Sequence, residues 1–193
     1  MLHPAENRGY RELYAYARQL VDHWEALAER SEGRPEGAAL AGGAAAARDL
    51  IDELEPVTGS RGLHGRPAAQ GVGSSLAKQR TGLRDRFLER NQAVRFAVEE
   101  MQHVVTLLSY LGSVAARRGD EELGAFCARW VRKLKRHENA ARKAAAALGE
   151  DPDAAIEPLD DSPAGRAAHG VGYAIGTVGE WVDRRAAERR GGG

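Results

Sequence analysis

Glu100 and His103 form a Glu-x-x-His pair inside a long stretch with helical periodicity. Residues three apart project from neighbouring points of a helix, so both side chains can reach one metal ion. A carboxylate and an imidazole together suit iron, manganese or zinc, and the flanking Phe96 and Leu107 would exclude water. The alternative is a polar pair satisfied by an arginine or a backbone carbonyl of an adjacent helix.

Other candidate ligands lie on other helical stretches. His137 falls on the apolar side of its helix and Glu138 is next to it, but adjacent helical residues diverge by about 100°. A lone histidine in a core is more often hydrogen-bonded than metal-bound. The predicted metal ligands are Glu100, His103, His137, Glu138 and His23.

The sequence offers little for other kinds of catalysis. Cys127 is the only cysteine, which excludes an internal disulfide and a thiolate metal cage. No serine or cysteine has a credible base at helical or loop spacing. We therefore predict no catalytic residue and leave the cofactor open, with iron or manganese as the candidates.

Composition predicts an all-α protein. The chain has 193 residues, 42% hydrophobic and only 6% aromatic, with abundant alanine, which favours helices packed around one core. We predict a single domain over residues 1–190 and a disordered tail over 191–193. The 28 cations balance the 28 acids, and no apolar leader or membrane span stands out. A cytoplasmic protein that contacts no membrane is expected.

Apolar periodicity and end signals predict five helices. They span residues 7–30, 36–55, 75–119, 120–148 and 163–189. Pro56 is expected to end the second helix and Gly119 the third, and Asp120 is expected to cap the fourth. The glycine-rich residues 56–75 read as a long crossover loop. Arg61, His64 and Arg66 in that loop could meet an anion, although no phosphate-loop pattern is present.

The third helix has apolar residues on two faces. The first face comprises Leu83, Phe87, Val94, Val98, Met101, Val105 and Leu108, and the second comprises Phe96, Glu100, His103, Leu107, Tyr110 and Val114. A helix that is apolar on two sides lies at the centre of a bundle or at a subunit interface. We expect both faces to be shielded from solvent.

Two further patterns have simple structural interpretations. The fourth helix carries an apolar seam that includes Cys127, Trp130 and His137, and a basic strip lies opposite. That strip is Arg129, Arg132, Lys133, Arg136 and Lys143. Nucleic acid could bind there, but a solvated face gives the same pattern and the chain is neutral overall. The last helix carries Gly165, Gly172, Gly176 and Gly179, which is typical of close helix packing.

A bundle with an inward Glu-x-x-His resembles the ferritin-like superfamily, whose di-iron members use two such pairs and two further glutamates. Only Glu100 and His103 match that motif, and His137-Glu138 departs from it. Asp22, His23 and Glu25 of the first helix and His169 and Glu180 of the last have other spacings. The resemblance implies an antiparallel four-helix bundle with an additional N-terminal helix and a glycine-rich crossover.

These patterns leave two functional hypotheses. The first is a non-catalytic helical bundle that acts by protein–protein association, as a homodimer or as an adaptor for another protein. The alternative is a ferritin-like metal-binding oxidoreductase or iron-handling protein. The two apolar faces of the third helix favour the first hypothesis, and the Glu-x-x-His pair favours the second.

Overall fold

The computed structural model describes residues 1–63 and 88–159, together with 162–164, 166–167 and 170. Over these ranges the chain is helical and forms no strand. The long helices are α1 (Pro4–Arg30), α2 (Pro35–Gly59), α3 (Arg90–Arg118) and α4 (Glu121–Ala147). A 3₁₀ turn, Leu148–Glu150, leads to a short helix, α5 (Pro152–Ala155). No helix in the described ranges is long and apolar enough to cross a membrane.

Each long helix packs against two others. α1 contacts α2 and α3, and α4 contacts the same two helices. Along α2 and α4, Glu53 meets Arg129 while Asp49 meets Lys133, so these helices run in opposite directions. The same reversal holds between α1 and α2, where Trp24 lies on Gly43 and Tyr14 on Thr58. The expected all-helical bundle is confirmed, and α1 is one of its four packed members.

The core is one cluster to which all four helices contribute. Trp24 and Trp130 are fully buried in it, and Cys127 is also buried. Trp181 lies outside the described residues. The first face of α3 is buried as predicted, with Val98, Met101 and Leu108 at most 5% exposed.

α1 begins three residues earlier than the predicted start at residue 7. His3 Nδ1 accepts a hydrogen bond from the Ala5 N–H (3.1 Å), and Glu6 Oε2 accepts one from the His3 N–H (2.7 Å). This reciprocal arrangement is a capping box, and Pro4 occupies the first helical position, where its missing N–H costs nothing.

The prediction that Pro56 ends the second helix is wrong, since α2 continues to Gly59. Proline removes one backbone donor near the end of the helix. The following turn is held by Thr58, whose Oγ1 donates to the Leu54 carbonyl (2.9 Å) and lies 3.2 Å from the Tyr14 hydroxyl. Tyr14 of α1 thus helps to stabilise the last turn of α2, which the local sequence at Pro56 disfavours.

The prediction of one continuous third helix over residues 75–119 is also wrong, because Leu88 and Glu89 are not helical and α3 begins at Arg90; residue 75 lies outside the described residues. Glu89 is extended (φ −70°, ψ 154°) and forms an isolated antiparallel bridge with Pro158. Arg90 N–H donates to the Glu157 carbonyl (3.0 Å), and Leu159 N–H donates to the Leu88 carbonyl (3.1 Å). These distant residues take up hydrogen bonds that an extra helical turn would otherwise make. Leu83 and Phe87 lie outside the described residues.

The junction between α3 and α4 has the predicted end signals. Gly119 has the left-handed conformation (φ 76°) that glycine tolerates best. Asp120 caps α4 by accepting a hydrogen bond from the Leu123 N–H (3.1 Å). The last predicted helix is described only near its start, where Arg166 N–H donates to the Ser162 carbonyl (2.9 Å). The glycines proposed for its stripe, His169, Glu180 and residues 191–193 lie outside the described residues.

The helix pair α1–α2 is connected to the pair α3–α4 across the length of the bundle. α2 ends beside the start of α4, where Arg61 contacts Asp120. α3 starts beside the start of α2, where Arg90 contacts Glu36. The chain between Leu63 and Leu88 therefore joins opposite ends of a helix of 25 residues, a separation of about 37 Å at 1.5 Å per residue.

Candidate functional site

Glu100 and His103 both contact α1, but they contact different residues of it. His23 Nδ1 lies 2.7 Å from Glu100 Oε2, a hydrogen bond in which the imidazole N–H donates. The side chains of His23 and Glu100 are 7% and 24% exposed, so the contact is largely shielded from water. Two of the predicted metal ligands, distant in sequence, thus meet across the α1–α3 interface.

His103 lies nearer the surface. Its ring contacts the Tyr16 ring at a tilt of 47°, with centroids 4.2 Å apart, and its Nε2 is 3.5 Å from Glu12 Oε1. The His103 side chain is 44% exposed. Glu100 and His103 therefore contact different residues of α1, and their side chains do not converge on one point.

The apolar seam predicted that His137 faces the core, but Glu138 is the residue that is buried. Glu138 is buried and accepts hydrogen bonds from Arg142 Nε (3.0 Å) and Nη2 (2.7 Å). His137 is only half-buried and lies beside α2, where a methyl group on Gly42 would be 3.5 Å from its Nδ1. Burial lowers the pKa of His137, and the neighbouring cations Lys133 and Arg136 lower it further. The prediction that His137 sits squarely on the core seam is wrong.

The five predicted metal ligands thus occupy three separate places. Within residues 1–63 and 88–159, no group of three or more His, Cys, Asp or Glu side chains is arranged to hold a metal ion. His23 and Glu100 alone supply two donors, whereas catalytic zinc sites use three protein ligands and structural sites four. The described residues do not complete the two-metal site that the ferritin-like resemblance implies.

A second polar cluster, which the sequence did not indicate, lies where α1 starts and α3 ends. Glu6 is fully buried and accepts from Arg118 Nε at 2.9 Å. Arg61 Nε and Nη2 donate to the two Asp120 carboxylate oxygens (2.8 and 2.9 Å). These hydrogen bonds hold the pKa of Asp120 far below its usual range and raise the pKa of Arg61. Arg61 therefore binds an acid of its own chain, while His64 and Arg66 lie outside the described residues.

Tyr10 and Cys127 form a buried pair beside that cluster. The Tyr10 hydroxyl lies 3.4 Å from Cys127 Sγ. Burial raises the pKa of the Tyr10 hydroxyl, and Cys127 and Glu6 add to the effect. Burial also raises the pKa of the Cys127 thiol. Both groups stay protonated at neutral pH, which suits packing and gives no nucleophile.

The second face of α3 is only partly covered. Leu107 is buried at 9% exposure, Phe96 and Val114 are half-buried, and Tyr110 is 49% exposed. Tyr110 lies in an open groove of about 350 Å³, which we call the α3 groove. It is lined by His3, Tyr110, Ser113, Val114, Arg117 and Arg118.

The basic strip of α4 is partly neutralised by α2. Arg129 Nη2 donates to Glu53 (2.7 Å) and Lys133 Nζ to Asp49 (2.9 Å). Lys133 also lies over the Trp130 ring, 4.5 Å from its centroid. These cations help join two helices, so the strip presents less free positive charge than the sequence suggests.

No family model, curated protein or solved structure matches this chain. The contacts of its own residues are therefore what bears on function.

Proposed function

We propose that this chain is a non-catalytic helical-bundle protein that acts by protein–protein association, and that its first partner is another copy of itself. The observation that carries the proposal is the partly uncovered second face of α3. Four large hydrophobic residues are exposed among the described residues; Tyr110 belongs to that face, and Tyr16 packs against His103 of the same face. Exposed aromatic side chains beside a groove are typical of protein interfaces.

The buried polar groups support a structural role over a catalytic one. Tyr10 and Cys127 face each other inside the core, and the acids Glu6 and Glu36 bind arginines of α3. None of these groups opens onto the α3 groove as a reactive side chain. A ferritin-like arrangement, in which one long crossover joins two helix pairs, is part of the same proposal. It is supported by the positions of the end of α2 and the start of α3, which lie at opposite ends of the bundle.

Molar mass in solution tests the proposed association. Light scattering coupled to size exclusion, over a wide range of protein concentration, should reveal a species of about twice 20.8 kDa. Tyr110→Asp should shift the equilibrium to the monomer, because a charge replaces an apolar contact. A monomer at every concentration would contradict self-association.

Metal binding is the second candidate function, and the contact between His23 and Glu100 is the observation that favours it. An iron or manganese ion there would need additional ligands beyond these two. Elemental analysis of protein expressed in iron- and manganese-rich medium tests it. At least one equivalent of metal, lost in His23→Ala, is the expected result, and less than about a tenth of an equivalent excludes a resident metal at full occupancy.

A further inference from the structure

The end of the bundle where α3 begins carries an exposed apolar residue among acids. Ile156 is 46% exposed and directly follows α5. Its neighbours in residues 148–159 include four acids and no cation: Glu150, Asp151, Asp153 and Glu157. We call residues 150–157 the acidic knob.

The acidic knob is held in place by α3. Arg90 Nη1 donates to the Ala154 carbonyl (3.0 Å) and Asn91 Nδ2 to the Ala155 carbonyl (2.9 Å). Asp151 caps the short helix by accepting from the Ala154 N–H (3.1 Å). A segment fixed in this way loses little conformational entropy when it binds.

The α3 groove, at the opposite end of α3, has the complementary character. Tyr110 and Val114 provide apolar surface, and Arg117, Arg118 and the His3 side chain lie around it. Arg118 is bound to Glu6 and Asp120. Arg117 is exposed and forms no ion pair with any residue in the described ranges, so its charge is available to a partner.

We infer that the acidic knob of one copy docks into the α3 groove of a second copy, with Ile156 against Tyr110 and Val114 and the knob acids near Arg117. This inference rests on the proposed self-association and specifies its surfaces. The contact would cover two of the exposed large hydrophobic residues and pair unlike charges.

The charges favour this pairing over a symmetric one. A contact of groove with groove would bring the two Arg117 side chains together, and a contact of knob with knob would bring two sets of acids together, of which Glu157 alone pairs with Arg90. Like charges facing each other across an interface disfavour that arrangement. Because the contact joins two different surfaces, it is heterologous: a dimer is its first product, and further copies can add head to tail.

Two single variants and their mixture test the inference. Ile156→Asp disables the knob and Arg117→Glu disables the groove, so each variant alone should self-associate at least about tenfold more weakly than the unmodified chain. An equimolar mixture should recover a heterodimer, because one variant keeps its groove and the other keeps its knob. Analytical ultracentrifugation with one variant fluorescently labelled measures this directly.

Matched controls separate the surfaces from general charge effects. Arg132→Glu makes the same charge change and Ala140→Asp adds an acid, both on exposed residues of α4 outside the knob and the groove. Both controls should associate like the unmodified chain. Asp153→Lys is a second knob variant that changes no apolar contact. It should weaken association, and the association that remains should depend less on salt concentration than that of the unmodified chain.

The outcomes distinguish the inference from the proposed function. If the unmodified chain associates but the mixture of knob and groove variants stays monomeric, the head-to-tail contact is wrong and self-association stands. If neither single variant weakens association, the contact is also wrong. If the unmodified chain is monomeric at all concentrations, both proposals fail.

Discussion

At the residue scale, α3 is joined to its neighbours by three polar contacts, each of which has at least one buried partner. The pairs are Arg90 with Glu36, Glu100 with His23 and Arg118 with Glu6. One lies near each end of the helix and one lies between them. Breaking such a pair leaves a buried polar or charged group without its partner, which costs more than the intact pair contributes. These contacts fix the position of α3 beside α1 and α2.

Gly43 illustrates how closely one side chain can constrain another. A Cβ atom at Gly43 would overlap the six-membered ring of Trp24, whereas one at Gly42 would make only an ordinary contact with His137. We expect Gly43→Ala to lower the free energy of unfolding by about 1–3 kcal/mol through overpacking. Gly42→Ala is the matched control and should raise it by up to about 1 kcal/mol. Urea unfolding measures both, and equal effects of the two variants would contradict the packing argument.

Asp120 should make stability depend on acid pH. Its pKa is lowered in the folded protein by Arg61, so its contribution is present above the unfolded pKa of about 3.9 and is lost as the pH falls below it. Asp120→Asn keeps a good helix cap but removes the charge. At pH 7 the variant should be less stable by about 1–3 kcal/mol, and the difference should shrink below about pH 4. Urea unfolding as a function of pH measures this, and a difference independent of pH would contradict it.

At the element scale, the start of α3 is set by contacts with two other segments. Arg90 binds Glu36 of α2 (2.5 Å) and the Ala154 carbonyl of α5 (3.0 Å), and its N–H binds the Glu157 carbonyl (3.0 Å). A single residue therefore joins α2, α3 and the acidic knob. The knob keeps its position only while this junction is intact, which connects the local fold to the proposed docking surface.

A double-mutant cycle tests that junction. Arg90→Met leaves Glu36, which is 3% exposed, without its partner, and should lower the free energy of unfolding by about 3–5 kcal/mol. The double variant Arg90→Met/Glu36→Leu should be more stable than Arg90→Met alone, because no charge then remains buried. Chemical unfolding of the four proteins gives the coupling energy, and strictly additive effects would show that the pair is not coupled.

At the scale of the whole molecule, the two helix pairs share one core, and the two ends of the bundle differ in surface charge. Trp24 of α1 and Trp130 of α4 belong to the same buried cluster. The acidic knob and the α3 groove mark opposite ends of the bundle. A single cooperative core and two unlike ends suit a building block that assembles head to tail.

The shared core predicts one cooperative unfolding transition. In a Trp181→Phe background, tryptophan fluorescence reports on the packing of Trp24 and Trp130, and circular dichroism reports on helix content. The two signals should change at the same denaturant concentration, since no pair of helices buries its apolar face alone. Separate midpoints would indicate that α1–α2 and α3–α4 unfold independently. The Trp130→Phe variant identifies which pair changes first in that case.

The sequence by itself determined the helices and much of their cores. Apolar periodicity and end signals placed α1, α2 and α4 within a few residues, and Gly119 and Asp120 act as predicted. These features depend on neighbours within about one helical turn, which the local sequence contains. The burial of Trp24, Trp130 and Cys127 follows from the same periodicity.

Only the tertiary structure decided which side chains meet. Glu100 binds His23, 77 positions away, and Arg90 binds Glu36, 54 positions away. After Leu134, helical spacing allowed either His137 or Glu138 to face inward, and packing beside Gly42 and Arg142 selected Glu138. Such choices depend on the relative positions of whole helices, which no local pattern encodes. For that reason the sequence identified the residues that could do chemistry, while the fold assigned their partners.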